Sequence, residues 1–386
     1  MKVLFIFIDM IRPNRLSIFN NKIKFDTPLD ESLRKIGGTC FTNCFSQGPD
    51  TPRGMATFAS GIVPSKNGCD SRVKWPKYFL KNELETIYDL FIKKDYKLSI
   101  FSNPNERDLG LFPDNISNLK VHNRDLDLDK FLSNIKLAKD HFIFISLPDF
   151  HWSLDDNSYT SYGEKKAYKD VKKSFDLIFR NFDKDEFDHT FVFSDHGFKF
   201  IHEVRNEPKY LLLNEDRTNI LMVHRKKGEE NVFLNNKLCS IADIFPTLKE
   251  ILAKDVTEGM SLMSQNERDY VVIEDHLDFL PGVNQNLGIW AIVKRNFIYL
   301  RTLESGYILD RNTRKIKIVV DHMFDNILER ESQFKQYTKE YKQLSEYKNI
   351  LSNYSTYMHG GKRKKIPLLG KYLFTLKDFF LEKFFK

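Results

Sequence analysis

The apolar run Val3-Leu-Phe-Ile-Phe-Ile8 ends directly in Asp9. It has no polar face and is rich in β-branched and aromatic residues, so it reads as a strand buried on both sides. Such strands belong to parallel sheets covered by helices. Asp9 then falls at the strand's C-terminal end, the edge where open α/β sheets carry their sites. A carboxylate there is costly unless paired or bound to a metal. An Asp that merely caps the following turn explains this one position equally well.

The pattern recurs along the chain. Helical segments are expected over Asp26–Ile36, closed by Gly37-Gly38, over Leu84–Lys94, Leu126–Ala138 and Tyr162–Phe182, and over Cys239–Leu252. Apolar strand segments alternate with them at Leu98–Phe101, Phe142–Leu147, Thr190–Phe193 and Ile220–Val223. This order predicts an α/β fold, a three-layer sandwich with a mostly parallel central sheet. From Tyr270 the texture changes to short strands separated by turn signals: Tyr270–Ile273, Ile289–Lys294, Phe297–Thr302, Tyr307–Asp310 and Lys315–Val320. These read as a small antiparallel sheet. The expected division is a catalytic α/β domain at 1–265, an antiparallel-sheet subdomain at 266–322, a helix at 323–355 and a basic amphipathic tail at 360–386. With 386 residues and 41% hydrophobic content the chain can bury a large core, and its 34 Phe predict an aromatic one.

Three of the strands end in acidic or imidazole residues: Asp9, Asp149 with His151, and Asp195 with His196. Several such endings at one sheet edge point to a divalent cation held by oxygen and nitrogen ligands. Gly197 after Asp195-His196 lets the backbone turn away sharply. The stretch Ser46–Gly61 holds Thr51-Pro52 ahead of a run of small residues. Pro suits the first helical turn, and Gly61 suits a C-cap. Thr51 is therefore expected at a helix N-cap, where free N–H groups and the dipole favour an anion or an alkoxide nucleophile. An ordinary Thr cap has the same local signature.

Cys40, Cys44, Cys69 and Cys239 form no regular framework and are expected as buried free thiols, a Cys40–Cys44 metal pair on a Thr39–Ser46 strand being the alternative. The N-terminus lacks the features of a signal peptide and no stretch reaches membrane-span length, so a cytoplasmic location is expected. The net charge of +7 weakly favours acidic partners and gives no indication of nucleic-acid binding.

With these pieces placed, residues 1–310 resemble the sulfatase branch of the alkaline phosphatase superfamily. Thr42-Asn43…Ser46 resembles the family's lead-in to the nucleophile, and Gly61-Ile-Val-Pro-Ser-Lys-Asn-Gly68 its G-x-x-P-x-x-x-G. The latter fixes the register and puts Thr51 on the nucleophile. Ser194-Asp-His-Gly197 is the most specific match, and Ala242-Asp-Ile-Phe-Pro-Thr247 with Gly259-Met-Ser-Leu262 resembles D-x-x-P-T-L…G-x-S-L. The departures are equally informative. Thr51 cannot become formylglycine, as the sulfatase Cys or Ser does. The Arg of C-x-P-x-R is displaced to Arg53, with Met55 at its usual place. Ser102-Asn-Pro-Asn105 stands where sulfatases have G-K-x-H, and Met10 replaces the ligand after Asp9. Thr with Asp, Asp and His instead resembles the phosphodiesterases and the phosphoethanolamine or glycerol-phosphate transferases of the superfamily.

The resemblance implies one divalent metal, manganese, zinc or magnesium, held by Asp9, Thr51, Asp195 and His196. It implies that Arg53, His202 and Lys209 bind phosphoryl oxygens. Asp149 and His151, with His202, could hold a second metal, or His151 could protonate the leaving group. The implied activity is phosphoryl or phosphodiester transfer or hydrolysis on a small molecule or on a glycan or its lipid-linked precursor. The alternatives are an unusual sulfuric-ester hydrolase and a degenerate binding protein. In the tail, Lys362-Arg-Lys-Lys365 precedes apolar residues at helical spacing from Leu368 to Phe384. This pattern fits an anionic membrane face, and equally a helix docked on the catalytic domain or on a second subunit.

Overall fold

The computed structural model describes residues 1–69, 80–103, 106–107, 109–113, 116, 118–121, 128–200, 213, 215–253, 260–276, 288–301 and 305–321. His202, Lys209, Gly259 and the expected segments 323–355 and 360–386 lie outside them. The strands are β1 (Lys2–Ile8), β2 (Gly38–Phe41), β3 (Cys44–Phe45), β4 (Lys97–Ser102), β5 (Asn118–Val121), β6 (His141–Leu147), β7 (His189–Phe193), β8 (Met222–Lys226), β9 (Val232–Asn235) and β10 (Cys239–Ser240). A second group comprises β11 (Val271–His276), β12 (Gly288–Val293), β13 (Phe297–Arg301), β14 (Ser305–Asp310) and β15 (Ile316–Asp321).

The central sheet has the order β5-β4-β6-β1-β7-β8-β2-β9. All neighbours pair in parallel except β8, which runs against both β7 and β2. The apolar core strands alternate between two chemistries. Leu4, Ile6, Ile8, Ile143, Ile145 and Val192 face helices Pro28–Ile36 and Ser161–Asn181. Phe5, Phe7, Phe142, Phe144, Phe191 and Phe193 face helices Thr51–Ser60, Ile87–Ile92 and Ile244–Ala253. One side of the sheet is thus aliphatic and the other aromatic, and helices cover both. The three-layer α/β sandwich expected from the alternation is present. The five strands from β11 to β15 form the expected antiparallel sheet in chain order.

Several local expectations are corrected. The single strand expected over Thr39–Ser46 breaks at Thr42-Asn43 into β2 and β3, which lie in different sheets. Asn43 makes the break: its amide donates to the Asn236 carbonyl and its oxygen accepts from Arg311. Cys40 and Cys44 therefore share no strand face. Cys44 instead pairs with Cys239 across β3 and β10, and all four cysteines are free and buried. The helix expected over Cys239–Leu252 is a two-residue strand, a 3-10 turn at Ile241–Asp243 and then helix Ile244–Ala253. Ser240 causes this, since its hydroxyl caps the turn at the Ala242 N–H. The edge strands β5 and β9 were not among the expected strands. Among the described residues no helix is long and apolar enough to cross a membrane.

Phe58 is fully buried at the centre of the aromatic layer, with its ring centroid 4.5 Å from Phe193 and 5.6 Å from Phe5. Phe58→Ala is expected to cost about 3–5 kcal/mol. Phe233→Ala, on the exposed face of β9, is expected to stay within about 0.5 kcal/mol. Denaturant unfolding of the two variants measures the contrast.

Candidate active site

The register of β1 on β7 pairs Phe7 with Phe193. Continued two residues further, it brings Asp9 level with Asp195 just past the sheet edge. Both carboxylates are buried, and His196 follows Asp195 in the same turn. Asp9, Asp195 and His196 place one potential ligand atom each within 4.8 Å of one another. His196 Nε2 lies 3.6 Å from Asp9 Oδ1 and 3.6 Å from Asp195 Oδ2. Its other nitrogen, Nδ1, lies 2.7 Å from the Gly197 carbonyl, which fixes the ring and leaves Nε2 pointed inward.

Thr51 completes the group. Helix Thr51–Ser60 starts at the same edge, and the Thr51 hydroxyl is 3.4 Å from His196 Nε2. The N-cap is Asp50, one residue before the expected position; its carboxylate accepts from the Arg53 N–H. The Asp50 carboxylate closes the turn ahead of Pro52, and Thr51 becomes the first helical residue. The C-cap at Gly61, in the left-handed region, is as expected. The helix approaches so closely that a Cβ on Gly54 would lie 2.9 Å from Asp195 Cβ. Gly54 is what allows the hydroxyl to reach the carboxylates.

Two like charges in a low-dielectric pocket are unfavourable. Burial pushes the Asp195 carboxyl above the usual range, and Asp9 adds to this against the opposing pull of His196, the Thr51 hydroxyl and the Met10 N–H. That N–H reaches Asp195 Oδ1 at 3.3 Å because Met10 adopts φ 70°, a strained conformation for a non-glycine residue. The Met10 side chain packs into the aliphatic core, consistent with a lost ligand.

The remaining expected residues are placed as follows. His151, in helix Asp149–Asn157, sets Nδ1 2.8 Å from Asp9 Oδ2 and Nε2 3.6 Å from Asp155. Burial alone would lower its pKa, but the two flanking carboxylates outweigh this and hold it up at about 9. Asp149, two residues earlier, does not join the cluster. Its carboxylate accepts from the Ser174 hydroxyl at 2.9 Å and ties one helix to the next. The second-metal assignment of Asp149 is not supported by that geometry. Arg53 does not face the site either: it is fully buried, ion-paired with Asp50 and Asp275. The reason is helical. At 100° per residue, two positions turn Arg53 about 200° from Thr51, whereas Met55, four positions on, returns to within about 40°. Shifting the Arg by two residues therefore moves it from the reactive face to the wall.

Glu106 was missed by the sequence reading, which stopped at Asn105. It is fully buried and accepts hydrogen bonds from Ser102 at 2.6 Å, Asn103 at 2.8 Å and Ser146 at 2.6 Å. Burial dominates these bonds and, with the field of Asp9, pushes its pKa up to about 8.

No protein-family model matches the sequence, and no curated protein does. Solved structures do match its fold. A presumed sulfatase from Bacteroides thetaiotaomicron VPI-5482 superposes with a TM-score of 0.72 at 15% identity, covering 95% of both chains. The 2-O GAG sulfatase BT1596 gives a TM-score of 0.68 at 15% identity over 92% of both chains. Phosphonate monoester hydrolase from Silicibacter pomeroyi gives 0.62 at 12% identity, over 96% of this chain and 98% of that one.

Glu106 carries a stability prediction. Its carboxyl binds a proton in the folded chain up to about pH 8 but only to about pH 4.5 when unfolded. Folding stability it contributes is therefore present below pH 4.5 and lost as pH rises towards about 8. Glu106→Gln, which keeps the shape without the ionisation, should melt at or below the wild-type temperature at pH 5. At pH 8 its melting temperature should gain on the wild type's, and thermal unfolding at the two pH values tests this. Taken together, the strand order, the carboxylate edge and the solved neighbours show that the chain has the fold of the sulfatase-like proteins of the alkaline phosphatase superfamily.

Proposed function

We propose that the chain is a metal-dependent phosphoester hydrolase or phosphotransferase with the Thr51 hydroxyl as nucleophile. The observation that carries this is the convergence of that hydroxyl, 3.4 Å from His196 Nε2, with the Asp9–Asp195–His196 group at a helix start. The donor set fits a divalent cation: two carboxylates and one imidazole, with Asp195 Oδ2 buried and lacking a hydrogen-bond partner among the described residues. Asp9, Asp195 and His196 would hold the ion beside Thr51. When bound, such an ion neutralises the carboxylates and phosphoryl oxygens and lowers the pKa of the adjacent hydroxyl.

The residues divide the work as follows. Thr51 Oγ attacks phosphorus as its proton passes to solvent water, and the bond to the leaving alcohol breaks, giving a phosphothreonine. The positive end of the helix dipole lies beside Thr51 and favours the negative charge of the transferred group. His151 holds a proton at the outer side of Asp9, where it can protonate the departing oxygen. Water or an acceptor hydroxyl then attacks phosphorus and releases Thr51. Lys209 and His202 keep their assignment to phosphoryl oxygens; Arg53 does not. A phosphoester fits better than a sulfate ester because Thr51 cannot supply formylglycine. A glycan-borne ester is supported by the 2-O GAG sulfatase among the fold neighbours. A cytoplasmic enzyme whose tail binds an anionic membrane face, acting on a lipid-linked glycan, is the setting this reading favours.

The test uses the full chain with added manganese against an aryl phosphodiester, an aryl phosphonate and an aryl sulfate. Thr51→Ala should lower kcat/KM for the phosphorus ester by at least about 10³-fold, and Thr51→Ser should retain part of it. Thr51→Ala should fold normally, since a first-turn substitution costs less than about 1 kcal/mol. Wild-type turnover in Thr51→Ala would remove the nucleophile assignment.

Metal binding is checked apart from turnover. Asp195→Asn and His196→Ala should each weaken manganese binding by more than about 10-fold in calorimetry. Unchanged binding in both would place the ion elsewhere.

A further inference from the structure

The second sheet reaches into the wall of the site. Its first strand, β11, carries Glu274 and Asp275, both fully buried although both are acidic. Successive strand residues point to opposite sides, and each side meets a segment flanking Thr51. The Glu274 N–H donates to the Gln47 carbonyl at 2.8 Å, ahead of the nucleophile. Its carboxylate accepts from the Ser65 N–H at 2.7 Å and the Ser65 hydroxyl at 2.8 Å, beyond the helix C-terminus. Asp275 Oδ1 lies 3.3 Å from Arg53 Nη1, and the same nitrogen binds Asp50. The Asp50 carboxylate in turn caps the helix at the Arg53 N–H.

The loop is moulded on this guanidinium stem. A Cβ on Gly48 would fall 2.4 Å from Arg53 Cβ, so residues 48–51 wrap directly over the Arg53 side chain. The head of that side chain is anchored by β11, and its stem supports the turn that presents Thr51. A planar guanidinium holds two carboxylates in fixed directions better than a point charge would.

We propose that Asp275 is a positioning residue for the Thr51 nucleophile: through Arg53 and Asp50 it fixes the first turn of the nucleophile helix. The catalytic part of this rests on the reading of Thr51 given above; the structural part does not. Replacing Asp275 by Asn keeps the volume and an acceptor but removes the charge. The guanidinium is then drawn towards Asp50 alone, and the cap that sets the Thr51 backbone loosens.

Amide hydrogen exchange on the full chain, read by mass spectrometry, tests the structural part without any substrate. In Asp275→Asn, peptides covering residues 47–54 should exchange at least about tenfold faster than in the wild type, with β1 and β7 peptides unchanged. Unchanged exchange over 47–54 overturns the proposal, as does an equal rise over β1 and β7, which marks general destabilisation. Should Asp275→Asn fail to fold, Arg53→Lys serves instead, since its ammonium reaches the two carboxylates less well, and it must show the same local pattern.

The catalytic part is read from a kcat and KM comparison. Asp275→Asn should lower kcat about 10- to 100-fold with KM within about threefold and with manganese binding unchanged. Wild-type kcat in Asp275→Asn, with Thr51→Ala inactive, overturns the positioning role and leaves the nucleophile standing. Activity in Thr51→Ala overturns the nucleophile, while the exchange result still decides whether Asp275 orders the loop.

Discussion

Two carboxylates are forced together where β1 and β7 leave the sheet, and the rest of the site is arranged around that fact. The parallel register makes Asp9 and Asp195 neighbours, and the apolar layers on either side deny them water. Like charges a few ångströms apart in such surroundings repel strongly. Among the described residues, the groups hydrogen-bonded to them offer a proton or a positive pole. The Met10 and His196 N–H groups point at Asp195, and the His151 imidazole lies against Asp9. Met10 accepts backbone strain to make its contribution.

The same constraint explains the small residues of helix Thr51–Ser60. A helix start brought against Asp195 lends its dipole to the pair, but only if nothing intervenes. Gly54 leaves that space, while Met55, Phe58 and Ala59 fill the aromatic layer behind it. The aromatic side of the sheet is thus the side that carries the Thr51 hydroxyl. Stacked rings there give a stiff floor: Phe58 on Phe193 and Phe5 on Phe191 each have centroids 4.5 Å apart.

Much of this was legible in the sequence because it is written in short-range patterns. Apolar runs that end in Asp9 or Asp195 locate both the strands and the edge. Pro52 and Gly61 bracket the helix, although the cap moved from Thr51 to Asp50 because both residue types satisfy the same turn. What was not legible depends on distant partners. Arg53 looked like an anion ligand until Asp275, 222 residues away, took its guanidinium. Asp149 has the composition of a ligand, and only Ser174 on another helix shows it to be a tie between helices. Glu106 has no periodic signal at all. Its significance comes from Ser146 and from burial that no local window records.

The burial of Arg53 changes the charge logic of the pocket. Facing Thr51, it would have met an anionic substrate; in the wall, its charge is spent on Asp50 and Asp275. Near the hydroxyl lie the Asp9 and Asp195 carboxylates and the His196 imidazole, with His151 between Asp9 and Asp155 on the outer side. The two buried carboxylates repel a phosphate or sulfate ester, and a helix dipole worth about 0.3–1 kcal/mol does not by itself offset them. A cation between the carboxylates and an ester would offset this, because the same oxygens would then be its ligands. The position of one arginine on its helix therefore leaves the neutralisation of an anion beside Thr51 to groups other than Arg53.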